Sequence, residues 1–261
     1  MILVKKSLGQ NFLIDKNIIR KIINLTEIRN RNVIEIGPGK GALTDEILKK
    51  KPKSLKIIEK DNQLYKFLKK KYFKNKIITI FNKDILKFNL EKVSEKNSIL
   101  FGNLPYNISS QILVKIIKFK NSPHKFSNII FMFQKELGEK IISKFPSSHY
   151  GRLSILTNYK LDIISKFFIS PNCFFPRPKV NSMIIHFKPK SNIQYKIKKI
   201  ENLEKITNIL FSNKRKMINK SLKKILPDSE IKKISDLKIT LRPSDIQPDI
   251  YYKITELTEK I

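Results

Sequence analysis

Residues 33–41 read Val33-Ile-Glu-Ile-Gly-Pro-Gly-Lys-Gly41, an apolar run that ends in a glycine-rich loop. The apolar run predicts a buried strand, and a helix is predicted to begin after the loop, near Ala42. Glycine lets the backbone pass close to a ligand, because no Cβ stands in the way. This strand, loop and helix fit a dinucleotide-binding fingerprint, but they fit a loop for S-adenosylmethionine equally well. The stretch therefore predicts an α/β fold that binds a nucleotide cofactor, without deciding which one.

Short apolar runs alternate with amphipathic stretches through most of the chain before residue 189. This alternation is typical of parallel strands joined by helical crossovers. It predicts a doubly wound sheet that binds its ligand at the carboxyl ends of the strands. Helical spacing of apolar residues marks 18–23, 64–68 and 112–117. Strands are predicted at 32–37, 54–59, 76–82, 98–103, 127–134, 162–169 and 180–188.

The last part of the chain has a different pattern. Helices are predicted at 203–211, 216–226 and 250–261, and a short strand is possible at 238–240. The linker is predicted at 188–192, where apolar periodicity stops. We therefore predict two domains, a cofactor-binding α/β domain over 1–188 and a small helical domain over 189–261.

The net charge of +32 predicts an anionic partner, because basic side chains that neutralise phosphates release condensed counterions. Only seven of the 54 Lys and Arg residues are arginines. A lysine surplus of this kind also arises from AT-rich genome composition. The sequence therefore leaves open how much of the lysine excess contacts the partner.

The lengths of apolar runs and the numbers of cysteines and histidines exclude several other functional classes. No apolar run approaches the ~20 residues that span a bilayer, so no membrane association is predicted. A single cysteine, Cys173, excludes an intramolecular disulfide, and the three histidines lack metal-ligand spacing. We predict a cytoplasmic monomer without a metal site.

Two carboxylates follow predicted strands. Glu59 closes the second strand, where it can accept hydrogen bonds from the ribose hydroxyls of NAD or S-adenosylmethionine. Asp84 closes the third strand and can accept a hydrogen bond from an adenine amino group. Asp84 can alternatively act as a helix N-cap before Ile85.

The fourth predicted strand ends in Asn103-Leu-Pro-Tyr106. This loop favours S-adenosylmethionine over NAD as the cofactor. The Asn103 side-chain oxygen and the Leu104 carbonyl can accept the two N–H groups of an exocyclic amine. Pro105 fixes the turn, and Tyr106 can stack on the ring. Such an amine is a poor nucleophile. Transfer of a methyl group to its nitrogen therefore depends on how the amine is positioned and on fixed dipoles around it. The loop predicts methylation of adenine N6 by S-adenosylmethionine, although a plain proline turn with a half-buried tyrosine is the alternative.

The target adenine must be unpaired or flipped, because N6 is inaccessible inside a duplex. Phe174 is predicted to stack on the second face of the base, at roughly 1–3 kcal/mol per stacked base. The alternative for Phe174 is ordinary core packing. Arg152, Arg177 and Arg215 are candidate phosphate contacts.

Seven ordered blocks of sequence match one known family. They are Lys5-Lys-Ser-Leu-Gly-Gln-Asn-Phe-Leu13, Glu35-Ile-Gly-Pro-Gly-Lys-Gly-Ala-Leu-Thr44, Ile58-Glu-Lys-Asp61, Phe101-Gly-Asn-Leu-Pro-Tyr-Asn-Ile-Ser109, Tyr150-Gly-Arg-Leu-Ser154, Phe174-Phe-Pro-Arg-Pro-Lys-Val180 and Asn213-Lys-Arg-Lys-Met-Ile-Asn-Lys-Ser-Leu222. In these blocks the chain resembles the rRNA adenine N6,N6-dimethyltransferases of the KsgA/RsmA type. It resembles the erythromycin-resistance methyltransferases more distantly.

The resemblance implies a Rossmann-like class I S-adenosylmethionine-dependent methyltransferase sheet and a C-terminal domain that contacts rRNA. It implies dimethylation of two adjacent adenines in the 3′-terminal hairpin of 16S rRNA, on the 30S particle. Methylation of large-subunit rRNA or of DNA, and a non-catalytic RNA-binding assembly factor, are the alternatives. The contacts that it implies for S-adenosylmethionine are Asn11, Leu13, Gly37, Glu59, Asp84 and Asn103; Asn11 and Leu13 rest on the resemblance alone.

Overall fold

The computed structural model of the protein describes residues 10–119 and 125–260. Residues 5–9 of the first sequence block, and His124, lie outside the described residues. The strands are β1 Phe12–Leu13, β2 Asn32–Ile36, β3 Ser54–Glu59, β4 Ile78–Asn82, β5 Ser98–Asn103, β6 Phe126–Gln134, β7 Leu161–Ile169, β8 Phe174–Phe175 and β9 Ser182–Pro189. The helices are α1 Lys16–Ile23, α2 Ala42–Lys49, α3 Asn62–Lys71, α4 Leu90–Val93, α5 Ser109–Ile117, α6 Lys135–Ile142, α7 Arg152–Lys160, α8 Ile200–Phe211, α9 Asn219–Leu222, α10 Asp228–Ile231 and α11 Pro248–Thr258.

Seven strands form one sheet in the order β4-β3-β2-β5-β6-β9-β7. The five strands from β4 to β6 are parallel, and β9 runs antiparallel to β6. In the register, Ile36 pairs with both Ile58 and Gly102, and Glu59 pairs with Asn82. The loops that follow β2, β3, β4 and β5 therefore start side by side at one edge of the sheet, where ligands bind in such folds.

A continuous apolar core holds this edge in place. Strand β3 contributes Leu55 and Ile57, and helix α1 contributes Ile22 and Ile23, all nearly inaccessible to solvent. Burial of each such side chain is worth about 1.5–3 kcal/mol. Helix α1 begins where the Asp15 carboxylate accepts the backbone N–H groups of the first turn, as an N-cap does. The loops at the carboxyl edge are thus built on a rigid scaffold.

The predicted strands are all present, with ends that differ by two residues or fewer. The third begins at Ile78 rather than at 76, because the Asn75 side chain accepts the Ile77 N–H in a turn. The pattern at 216–226 produces only the short helix α9. No strand forms at 238–240, where the Leu241 N–H closes a turn onto the Lys238 carbonyl.

The described chain forms two compact units. One contains the described residues up to Gly138 together with Ile163–Pro189, and the other contains Glu139–Asp162 and the residues from Lys190 onward. The sequence prediction placed 139–162 in the first domain, but these residues pack with the C-terminal helices. The Tyr150 hydroxyl donates to the Ile246 carbonyl at 3.0 Å, for example. Apolar periodicity shows which side chains are buried, but not which part of the chain they pack against. It therefore cannot reveal that a segment belongs to the other unit.

The helices described in both units are too short, or too polar, to cross a lipid bilayer.

Candidate functional site

A cavity of about 590 Å³ opens at the carboxyl edge of the parallel strands. This volume is within the usual range for small-molecule and cofactor sites. The cavity lies within the first unit, and residues from the loops after β2, β3, β4 and β5 line it. All the predicted site residues except Phe174 are in its lining: Asn11, Leu13, Gly37, Glu59, Asp84, Asn103, Leu104, Pro105 and Tyr106.

The glycine loop passes close to the ring of Phe12. Gly39 has a φ of +59°, and a Cβ at this position would lie 2.7 Å from the Phe12 ring. Only glycine fits this combination of backbone angle and close approach. The Gly37 N–H donates to the Ile58 carbonyl at 3.0 Å, which ties the loop to β3. The loop therefore packs closely against β1 and β3, and its residues 37–40 line the cavity.

Glu59 lies at the end of β3 and is 7% exposed. Its Oε1 accepts the Asp61 N–H at 2.8 Å. Burial raises the pKa of the Glu59 carboxyl to about 7, and backbone N–H groups of Asp61 and Gly39 act against that rise. A carboxylate in this position has lost its water and gains from any hydroxyl that donates to it. Glu59 is thus suited to accept the paired hydroxyls of a ribose.

Asp84 is held by two partners. Its Oδ2 lies 2.8 Å from Lys60 Nζ, and its Oδ1 accepts the Leu86 N–H at 3.0 Å. The hydrogen bond from Lys60 is the main reason why the pKa of Asp84 is below its ordinary value. Asp84 therefore caps a turn that begins at Ile85, and not a helix as the alternative predicted. The same side chain lines the cavity as an ionised acceptor.

The Asn103–Tyr106 loop is fixed at both ends. Asn103 Nδ2 donates to the Asn11 carbonyl at 3.2 Å. Among the described residues, none donates to Asn103 Oδ1, so this atom keeps its capacity to accept. The Tyr106 hydroxyl shares a 2.6 Å hydrogen bond with Ser182 Oγ, and burial raises the pKa of this half-buried tyrosine, which keeps it neutral. The loop presents an amide oxygen and an aromatic ring to the cavity.

Phe174 is not arranged as the stacking prediction requires. Its side chain is 3% exposed and belongs to the apolar core, next to Leu13, with which it pairs across β1 and β8. It is absent from the cavity lining. The alternative of core packing describes this residue better. Its neighbour Phe175 is 60% exposed, because successive side chains of a strand point to opposite faces.

Sequence reasoning missed two features of the site. Phe12 and Ile14 line the cavity on both sides of Leu13, but β1 has only two residues and carries no readable period. Glu35 lies below the glycine loop with no exposure to solvent. Thr44 Oγ1 donates to its Oε2 at 2.6 Å, while its Oε1 has no hydrogen-bond partner among the described residues. Burial raises the pKa of Glu35 to about 7.

This buried carboxyl predicts a pH dependence of stability. The folded-state pKa of Glu35 is about 7 against an ordinary value of 4.5, so the folded state binds more protons between these values. The free energy of unfolding must then fall as pH rises from 4.5 through 7. We expect Glu35→Gln to remove part of that fall, on the order of 3 kcal/mol at most. Denaturant unfolding between pH 5 and 8 measures it.

Glu201→Gln, at an exposed position of α8, is the matched control and should unfold with the wild-type pH slope. If Glu35→Gln also follows the wild-type slope, Glu35 is not the group that titrates. The slope is the readout, because an amide at position 35 can change absolute stability for reasons of packing.

Comparisons with known proteins agree over nearly the full length of the chain. A family model described as "Ribosomal RNA adenine dimethylase" matches residues 1–260. Two relatives are both named "Ribosomal RNA small subunit methyltransferase A". The one from Pelagibacter ubique (strain HTCC1062) is 46% identical over 98% of this chain and 97% of its own. The one from Malacoplasma penetrans (strain HF-2) is 37% identical over 95% and 90%.

Two solved structures superpose on the chain. A dimethyladenosine transferase from Plasmodium falciparum has a TM-score of 0.73 at 23% identity, covering 93% of this chain and 95% of its own. The 23S rRNA methyltransferase ErmE has a TM-score of 0.70 at 22% identity, covering 95% and 99%. At these identities the likeness concerns the fold. It confirms the predicted α/β fold.

Proposed function

The chain belongs to the ribosomal RNA adenine dimethylase family, and we propose that it dimethylates N6 of two adjacent adenines in the 3′-terminal hairpin of 16S rRNA. One observation carries the proposal: the glycine loop and the Asn103–Tyr106 loop line the same cavity. A site for a nucleotide cofactor and a site for a flat amino-bearing ring are thereby adjacent. The names of the relatives favour the small subunit over the large one.

S-adenosylmethionine is the methyl donor, and it supplies a methyl group on a positively charged sulfur when bound. The cavity fits such a ligand, because it encloses about 590 Å³ at the carboxyl edge of the sheet and Glu59 is a buried acceptor at the end of β3. We assign the ribose hydroxyls to Glu59 and the adenine amino group of the cofactor to Asp84. Gly37, Asn11 and Leu13 complete the wall around it.

Asn103 and Leu104 position the target amine. The N6 lone pair of adenine is delocalised into the ring, so the amine attacks only when it is held in the right direction. Hydrogen bonds from its two N–H groups to Asn103 Oδ1 and to the Leu104 carbonyl would aim the lone pair at the donor. These fixed dipoles also favour the positive charge that develops on nitrogen. No general base is needed, since the nitrogen is positively charged directly after methyl transfer, and this cation is acidic enough to lose its proton to water.

Tyr106 holds the face of the target base. Its hydroxyl is fixed by Ser182, and Pro105 limits the backbone before it. Because the Tyr106 ring is already held in place, little entropy is lost when the base binds. Most of the stacking energy can therefore offset the cost of unstacking the target base from its RNA neighbours.

Glu59 gives a direct test of the cofactor assignment. We expect Glu59→Gln to raise the Kd for S-adenosylmethionine by about 10- to 100-fold, because hydrogen bonds to a charged acceptor are worth about 1.5–3 kcal/mol. Isothermal titration measures the affinity. Glu201→Gln is again the control. An unchanged Kd for Glu59→Gln would remove Glu59 from the site.

The function is tested with purified ribosomal subunits. Small subunits from a strain that lacks the modification should accept labelled methyl groups from S-adenosylmethionine in the presence of this protein. Large subunits and duplex DNA, tested in parallel, should not. Transfer only to large subunits or to DNA would contradict the proposal.

The assembly and location of the protein are part of the same proposal. It acts on the small ribosomal subunit as a monomer in the cytoplasm, and its second unit contributes contacts to rRNA. The excess of basic residues supports an anionic partner, since most protein–RNA affinity is electrostatic.

A further inference from the structure

An exposed strip of the first unit lies beside the cavity but is not part of its lining. It consists of Phe175, Arg177 and Lys179, three exposed side chains that alternate with the less exposed Pro176 and Pro178. We call it the rim strip. Proline fixes its own φ and biases the residue before it toward extended backbone. The two prolines restrict the backbone of the rim strip, which bends at Pro176 and again at Lys179 and carries an aromatic ring followed by two cations.

The chain before the rim strip is bound to the cavity wall. Phe175 pairs with Phe12 across β1 and β8, and Phe12 lines the cavity. Directly opposite residues of an antiparallel pair share a face, so the Phe175 ring is on the side of Phe12, away from the core face of Phe174. The Ile14 N–H donates to the Cys173 carbonyl at 2.8 Å, which fixes the same junction.

The chain after the rim strip is bound to the opposite wall. Ser182, which begins β9, shares its hydrogen bond with the Tyr106 hydroxyl, and the Asn181 carbonyl accepts the Lys135 N–H at 2.9 Å. The chain thus runs through the rim strip from Phe175, which pairs with Phe12 of the cavity wall, to Ser182, which is hydrogen-bonded to Tyr106.

The side chains of the rim strip are free to meet a ligand. The Phe175 side chain is 60% exposed, so most of its ring surface is accessible. Within residues 10–119 and 125–260, Arg177 and Lys179 have no carboxylate in ion-pair range. An aromatic ring flanked by unpaired cations is the usual composition of a surface that binds single-stranded RNA.

We propose that the rim strip binds the RNA nucleotide next to the target adenine: Phe175 stacks on its base, and Arg177 and Lys179 contact the adjoining phosphates. This inference rests on the proposed function for the identity of the RNA. It adds a second stacking site, distinct from Tyr106, that holds the RNA after the target base has left its stack. One unpaired nucleotide of any base satisfies it, because every base has a face that can stack.

Kinetics on small ribosomal subunits that lack the modification test the stacking role. Phe175→Ala should raise the KM for subunits by roughly tenfold, with the Kd for S-adenosylmethionine and the melting temperature unchanged. Phe175→Trp should restore the wild-type KM. The matched control is Phe73→Ala, because Phe73 is 75% exposed and does not line the cavity. If Phe175→Ala and Phe73→Ala give the same KM, the stacking role is wrong.

Salt dependence tests the two cations. The plot of log affinity for subunits against log salt loses about 0.7 in slope for each single-strand phosphate contact removed. We expect the double variant Arg177→Ala/Lys179→Ala to reduce the slope by about 1.4, while Lys66→Ala/Lys70→Ala, on the exposed side of α3, reduces it less. Equal slopes for the two double variants would overturn the phosphate contacts. This readout needs no catalysis, so it separates failure of the rim strip from failure of the proposed activity.

Discussion

Asn103→Ala is expected to lower kcat on small ribosomal subunits by roughly 100- to 1,000-fold, the range found when one fixed dipole is removed from a developing charge. Asn103 Oδ1 is held ready to accept, because Nδ2 is already committed to the Asn11 carbonyl. Alanine removes both bonds and leaves the target amine free to rotate. Steady-state transfer of labelled methyl groups measures the loss.

Asn62→Ala is the control for Asn103→Ala. It makes the same change at an exposed position of α3 and should retain wild-type kcat. Because Asn103 also lines the cofactor space, the Kd for S-adenosylmethionine should be measured for both variants. A loss confined to cofactor affinity, with kcat preserved at saturation, would assign Asn103 to cofactor binding alone.

Tyr106→Ala is expected to lower kcat/KM by roughly 100-fold while the Kd for S-adenosylmethionine stays within about twofold of wild type. The lost stacking is worth about 1–3 kcal/mol, and a base displaced by about 1 Å loses further rate. Methyl-transfer kinetics and titration of the cofactor separate the two quantities.

Tyr106→Phe distinguishes the ring from the hydroxyl. It keeps the stacking surface and removes only the hydrogen bond to Ser182, so we expect it to retain most of the activity. If Tyr106→Phe were as damaged as Tyr106→Ala, the hydroxyl would be the functional group. If Tyr106→Ala instead lost cofactor binding, the ring would belong to the cofactor wall.

The sheet and its ligand edge could be predicted because they depend on local signals. Parallel strands that are buried on both faces leave continuous apolar runs, as Ile99-Leu-Phe101 of β5 does. Glycines at 37 and 39 mark backbone that a side chain could not follow. Since the carboxyl ends of parallel strands meet at one edge, residues far apart in sequence, such as Glu59 and Asn103, could be assigned to one site.

Features that depend on pairing at a distance could not be predicted. Phe174 and Phe175 are identical in type and adjacent in sequence, and only the pairing of β8 with β1 decides which one is buried. Two-residue strands leave no pattern to read. Likewise, the sequence of 139–162 does not show which part of the chain it packs against, and its membership in the second unit follows from partners such as Ile246.

Mass spectrometry of nucleosides tests the central claim most directly. Small ribosomal subunits that lack the modification are incubated with this protein and isotope-labelled S-adenosylmethionine, and the rRNA is digested in fragments. We expect labelled N6,N6-dimethyladenosine at two adjacent positions of the 3′-terminal hairpin of 16S rRNA, and none in the Asn103→Ala reaction. Label on another atom, in another RNA, or in equal amount with Asn103→Ala would contradict the account.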